Sequence, residues 1–210
     1  MMKILYVIMH TQNQNERYDN VMNTWGRDVD CIFYSDHEDL DRNIIKSSDD
    51  NSYKSNEEKF CNILSLIPEK YKNYDWFLFC DNDTFVNTKL LSEKITDFDE
   101  NIVYGQELNT YHSDKSLFYV SGGAGKLVSN KILQLIKGNV PNRKTTYADV
   151  TLGYALRDLN ISIQDYPLFK SQPPEFYKIN DNDVQNFITF HYIKTTELMK
   201  KLYNLTNEIF

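Results

Sequence analysis

Cysteine is scarce: Cys31, Cys61 and Cys80 lie far apart, and no two stand at the close spacing of a metal-binding pair. That excludes zinc-ribbon and disulfide-framework classes; with two of the three in apolar runs, it suits small core residues in a reducing compartment. Glycine and proline are also sparse, 7 and 5 residues, and no Gly/Ser-rich linker, low-complexity tract or internal repeat interrupts the chain. Positive charge is in deficit, with 23 Lys and Arg against 30 Asp and Glu and a net charge of -7. Nucleic acid is therefore not the expected partner, because backbone phosphates favour a basic face. Long hydrophobic runs are missing too. The stretch Ile4 to Met9 is too short for a membrane span and no small-residue cleavage site follows it. The expectation is a protein with neither membrane anchor nor export signal, working in the cytoplasm. Heavy use of Asn, Lys, Ile and Tyr points to an AT-rich genome, a bacterium or a large DNA virus, and in the viral case to host cytoplasm or a virus factory.

What is present is enough for a core. Hydrophobic residues make up 41% and charged residues 25% of 210 residues, which fits one globular domain over 1–210. Strand-like and helix-like segments alternate, the pattern of an α/β protein with a mostly parallel sheet flanked by helices. Ile4–Met9 and Cys31–Tyr34 predict strands, as does Trp76–Cys80. Tyr18, Val21, Met22 and Trp25 fall on one helical face, as do Phe60, Ile63, Leu64 and Ile67, with Pro68 expected to end that helix. The polar segment from Asp39 to Ser55 predicts a surface loop. Further strands are expected at Asn101–Gly105, Leu117–Ser121 and Ile188–Tyr192. Further helices are expected after a Ser129 cap, closed by Gly138, from Asp149 to about Leu159, and from Glu197 to Tyr203; Tyr166–Phe176 is expected extended or looped.

Four segments carry chemistry. The buried-strand run Trp76 to Cys80 stops at Asp81-Asn82-Asp83. Two hard oxygen ligands at the carboxyl end of a strand in an open α/β sheet suit Mg²⁺ or Mn²⁺ carrying a diphosphate, although Asp and Asn also simply favour turns. Ser121-Gly122-Gly123-Ala124-Gly125 follows a strand and leads towards a helix; it permits close approach of backbone to a ligand, or merely a tight turn. It is neither a Walker loop nor a dinucleotide fingerprint. Asp149 stands at a helix start, where a carboxylate is either an N-cap or a reactive group. His191, in an apolar strand, is either a core histidine or a ligand that with carboxylates favours Mn²⁺ over Mg²⁺.

Taken in order, these segments resemble glycosyltransferase family 31, the Fringe-like β1,3-glycosyltransferases, and within it the core 1 galactosyltransferase branch. The likeness runs from about Tyr6 to Leu205. It comprises Thr24-Trp25-Gly26, Asp75-Trp76-Phe77-Leu78 followed by Asp81-Asn82-Asp83-Thr84, the Ser121–Gly125 run, Asp149-Val150-Thr151-Leu152-Gly153, Pro173-Pro174-Glu175, and Phe190-His191-Tyr192. The resemblance implies a GT-A, Rossmann-like fold that binds a UDP-sugar donor and Mn²⁺, with Mg²⁺ as the alternative ion. It implies an inverting transfer of a hexose or N-acetylhexosamine to a hydroxyl of a glycan or glycoprotein, with a β1,3 linkage. By position, Asp83, Asp81 and His191 fall at the metal and Asp149 at the catalytic base. Thr11, Arg17, Lys59, Asp81 and Asn82 fall on the nucleotide side, and Gly122 and Gly123 against the donor sugar and acceptor. Asn82 replaces the usual middle Asp. The luminal members' anchor, stem and paired cysteines have no counterpart here, and the loop between Glu175 and Phe190 is shorter, which bears on the acceptor. Two other readings stand beside this one: a non-catalytic, chaperone-like or sugar-nucleotide-binding relative, against which the complete Asp81, Asp83, Asp149 and His191 set argues, and a metal-dependent nucleotidyltransferase.

Overall fold

The structure, a computed structural model, describes residues 2–111, 113–139 and 145–207. In chain order its strands are β1 (Ile4–Met9), β2 (Cys31–Ser35), β3 (Ile44–Lys46), β4 (Trp76–Asp81), β5 (Phe85–Val86), β6 (Ile102–Gly105), β7 (Glu107–Leu108), β8 (Tyr119–Val120), β9 (Lys126–Ser129), β10 (Ser162–Asp165), β11 (Phe169–Lys170) and β12 (Thr189–Phe190). The α-helices are α1 (Asn15–Met22), α2 (Asn56–Lys70), α3 (Thr88–Lys94), α4 (Asn130–Ile136), α5 (Ala148–Asp158) and α6 (Thr196–Asn207).

Among the described residues, seven strands form one sheet in the order β10-β6-β9-β4-β1-β2-β3. All its pairs are parallel except those of β9, which runs antiparallel between β4 and β6. The expected mostly parallel, helix-flanked sheet is therefore present. The central strands β1 and β4 are continuous apolar runs because a parallel sheet is covered on both faces. Side chains alternate between those faces with period two. Leu5, Val7, Phe77 and Phe79 join one core with Phe60, Ile63, Leu64 and Ile67 of α2, Ile132, Leu133 and Ile136 of α4, and Leu152 and Leu156 of α5. Tyr6, Ile8, Trp76, Leu78 and Cys80 join the other, with Tyr18 and Val21 of α1 and Met199 and Leu202 of α6. A small sheet, β11-β12-β5, completes that second side.

The topology positions the site. From β1 the chain builds β2 and β3 on one flank, then returns through α2 to β4 on the other flank of β1. The strand order thus reverses between β1 and β4, and the crevice at their carboxyl ends is where such sheets bind ligands. The register pairs Met9 with Asp81, so the first carboxylate emerges at that crevice.

Several expectations are corrected. The segment from Asp39 to Ser55 is not all loop: it contains β3, whose Ile44 is fully buried, and a 3-10 turn at Tyr53–Ser55. Three residues are too few to show a period. Pro68 lies inside α2, which continues to Lys70; so near the end a proline forfeits little beyond its own backbone bond. The first helical stripe splits, α1 ending at Met22 and Trp25 lying in a separate 3-10 turn, Trp25–Asp28. The Trp25 indole instead donates to the Thr84 carbonyl at 3.1 Å, tying this turn beneath the acidic loop. Beside it a Cβ on Gly26 would stand 2.7 Å from a Val21 methyl, so the Trp-Gly pair is a packing device. The glycine run leads first into β9, not into a helix, and the strand before it is confined to Tyr119–Val120. The proline segment holds β11 and a 3-10 turn at Pro174–Tyr177, and β5, α3 and β10 carried no predicted element. The Ser129 cap is present, its hydroxyl accepting from the Ile132 N–H, and Gly138 follows α4 at φ 78°. No helix among the described residues is long and apolar enough to cross a membrane, and the three cysteines are unbridged.

Candidate active site

The acidic triplet is a turn, and more than a turn. Thr84 N–H donates to the Asp81 carbonyl at 3.1 Å, and the Thr84 hydroxyl donates to the Gly123 carbonyl at 2.8 Å, joining this loop to the glycine run. The turn delivers both carboxylates to one imidazole. His191 Nε2 lies 3.1 Å from Asp83 Oδ1 and 3.4 Å from Asp81 Oδ2. One ligand atom from each of the three residues falls within 4.8 Å of the others.

His191 reaches this point through a backbone reversal. Its N–H donates to the Lys170 carbonyl at 3.0 Å, while two residues on Ile193 N–H donates to the Asp83 carbonyl at 2.9 Å. Between them Tyr192 adopts φ 60°, a conformation costly for a bulky side chain and held here by bonds on both sides. The Tyr192 ring stacks on the imidazole with centroids 3.9 Å apart. Glycine is required opposite: a Cβ on Gly123 would stand 2.1 Å from two atoms of the His191 ring.

Electrostatics follows from this geometry. Burial works against charge on His191, but hydrogen bonds and charge from Asp81 and Asp83 outweigh it and raise the imidazole to about 9. Burial likewise pushes the Asp83 carboxyl up, yet His191 and then Arg17 bring it below its ordinary value. A divalent cation must displace the His191 proton. Binding near pH 7 is therefore expected to release about one proton per ion, with affinity rising about tenfold per pH unit until the imidazole value is passed. Calorimetry in buffers of different ionisation enthalpy measures that proton; its absence would remove His191 from the ligand set.

Asp149 does not join the trio; it stands across the glycine run, lining the same cleft of about 730 Å³. It is not the helix cap, since α5 begins at Ala148 with Tyr147 in the capping position and no side-chain cap bond. Its Oδ1 accepts from the Val150 N–H at 2.9 Å and its Oδ2 from the Gly122 N–H at 3.3 Å. Thus Gly122 faces the carboxylate of Asp149 and Gly123 faces the imidazole.

The other expected site residues divide. Arg17, on α1, pairs with Asp83 Oδ2 at 3.1 Å and donates to Asn82 Oδ1 at 3.4 Å. The Asn82 amide nitrogen bonds His10 Nδ1 at 3.2 Å and Gln14 Oε1 at 2.9 Å, fixing the loop to the end of β1. Burial, then His37, lowers His10 to about 4, so its neutral ring accepts. Thr11 lines the cleft with its hydroxyl on Asn13 at 2.7 Å. Lys59 is not part of the lining: it is fully buried, 3.8 Å from Asp36. Lining residues missed by sequence reasoning include Lys126, Lys194, Tyr53 and Tyr192. Only Lys126 left a signal, a charge placed inside an apolar strand directly after the glycine run.

The sheet with its crevice at the β1/β4 reversal is a GT-A fold. A glycosyltransferase involved in glycosylation of the major capsid of the virus PBCV-1 is similar over 95% of this chain and 98% of its own, at 15% identity and a TM-score of 0.58. The galactosyltransferase LgtC, solved with donor and acceptor sugar analogues, is similar over 98% and 97%, at 14% identity and a TM-score of 0.52. GlyE of Streptococcus pneumoniae, at 13% identity and a TM-score of 0.54, covers all of this chain with 61% of its own length. Residues 3–208 match the Fringe-like family, and the chain belongs to it. Family and fold together define a glycosyltransferase.

Proposed function

We propose that this protein is an inverting, metal-dependent glycosyltransferase that moves a hexose or N-acetylhexosamine from a UDP-sugar to a hydroxyl of a glycan or glycoprotein, forming a β1,3 linkage. The observation that carries the reading is the Asp81–Asp83–His191 trio at the strand-order reversal, with Asp149 in the same cleft across Gly122 and Gly123. Two carboxylates and an imidazole fit Mn²⁺ better than Mg²⁺, which prefers all-oxygen surroundings. Bound there, the ion would supply Lewis-acid stabilisation to the departing diphosphate.

The chain's own groups do the rest. Asp149 accepts the proton of the acceptor hydroxyl as that oxygen bonds to the anomeric carbon; the bond from that carbon to the phosphate oxygen breaks, and its electron pair leaves with UDP. A single displacement inverts the anomeric configuration. Arg17 on α1 reaches the diphosphate from the side of Asp83, and Thr11 and Asn82 line the nucleotide side. Gly122 and Gly123 line the cleft between Asp149 and the trio, against the sugar and acceptor in this reading. A cytoplasmic location is part of this proposal.

A panel of UDP-sugars incubated with Mn²⁺ tests the reading. UDP release with at least one donor is expected, together with UDP binding that a chelator abolishes. Metal-dependent UDP binding without turnover on any donor and acceptor would favour the sugar-nucleotide-binding alternative, and pyrophosphate release from a nucleoside triphosphate would favour the nucleotidyltransferase.

A further inference from the structure

Lys126 opens β9 and is only 3% exposed. A lysine is seldom buried unless its ammonium is paired. Its partner across the ladder is Phe79 of β4, two residues before Asp81. Lys126 and Asp81 therefore stand as diagonal neighbours on one face of the sheet. The Nζ lies 4.4 Å from the Phe60 ring centroid, which supports the stem and one side of the charge. Among the described residues it makes no hydrogen bond or close ion pair. The residue lines the cleft, and its ammonium carries three donors. A Cβ placed on Gly122 would stand 3.4 Å from Lys126 Nζ and 3.7 Å from Asp149 Oδ2, so the ammonium and the carboxylate face one another across this glycine. Burial lowers the Lys126 value, and the charges of Asp149 and then Asp81 oppose that, so both carboxylates act on it.

That position has a chemical meaning. With a diphosphate beside Asp81, Asp83 and His191 and an attacking oxygen beside Asp149, the group in between is the sugar being transferred. We propose that Lys126 donates hydrogen bonds to hydroxyl groups of that sugar and determines which UDP-sugar the enzyme accepts. The inference rests on the donor reading above and adds the residue that discriminates among donors. Unfilled donors in a cleft of this kind favour a sugar with an oxygen in the right orientation. They disfavour its epimer, which leaves a buried ammonium unsatisfied.

The test compares the full chain with Lys126→Met, which keeps the length of the stem and removes the donors. Mn²⁺-dependent UDP affinity and kcat/KM for hydrolysis of UDP-galactose, UDP-glucose and UDP-N-acetylglucosamine are measured for both proteins. UDP affinity is expected to persist, while kcat/KM for the preferred donor falls about 10- to 100-fold and the preference between epimers shrinks by a similar factor. A uniform loss on every donor with the preference intact would overturn the inference, because a structural or Asp149-directed role does not distinguish sugars. Should Lys126→Met fail to fold, Lys126→Arg retains the cation but moves its donors, and an altered donor preference is again expected; an unchanged preference overturns the inference. A wild-type protein without metal-dependent UDP binding refutes the donor reading itself, a different result from UDP binding with an unchanged sugar preference.

Discussion

Asp149→Asn is expected to slow sugar transfer by about 10²–10⁴-fold, the usual contribution of a positioned general base, while UDP binding with metal survives. The amide has the shape of the carboxylate and can still accept from the Gly122 N–H that now lies 3.3 Å from Oδ2. It cannot take a proton from an incoming hydroxyl. Helix stability should hardly change, because α5 is not capped by this side chain; what is lost is a negative charge in the first turn, a matter of about 0.3–1 kcal/mol. Transfer is read as product formation with an active acceptor, and binding by calorimetry with UDP and Mn²⁺. Turnover near the wild-type rate would remove Asp149 from the mechanism.

Asp83→Ala should act on the other half of the site. Asp83 is 5% exposed and is the common partner of His191 at 3.1 Å and Arg17 at 3.1 Å. Its loss leaves two of three candidate ligands. Losing an outer partner of a metal ligand already lowers affinity about 10–100-fold, so losing a ligand should exceed about 100-fold and abolish metal-dependent UDP binding in the same step. The imidazole should also titrate below its present value of about 9, because one of its two carboxylate partners is gone while Asp81 remains. Tight metal-dependent UDP binding by the variant would contradict the site. Gly123→Ala separates ligand identity from ligand placement: all three ligands remain, but the new Cβ displaces the His191 ring, and the same loss of metal is expected.

Much of this arrangement was legible in the chain. β1 and β4 announced themselves because strands covered on both faces must be apolar throughout, and the abrupt change at Asp81 marked where β4 leaves the core. The serine cap and glycine end of α4 follow from backbone groups that need partners wherever a helix ends. The short pieces were not legible. β3, β5, β7 and β9 have two to four residues each, fewer than a period needs, and owe their existence to neighbours that pair with them. Asp149 illustrates the same limit, since a carboxylate near a helix start looks like a cap until the helix is seen to begin without it.

The sequence by itself determined the kind of sheet, its two apolar faces and the residue types able to hold a cation and accept a proton, because burial and ligand chemistry act on side chains one at a time. Only the tertiary structure decided that His191, 108 positions beyond Asp83, folds back onto it through the left-handed turn at Tyr192. It also separated two buried lysines, sealing Lys59 away from the cleft and setting Lys126 in its wall. Such distinctions depend on which strand lies beside which, and the direction a charge faces is settled by those neighbours.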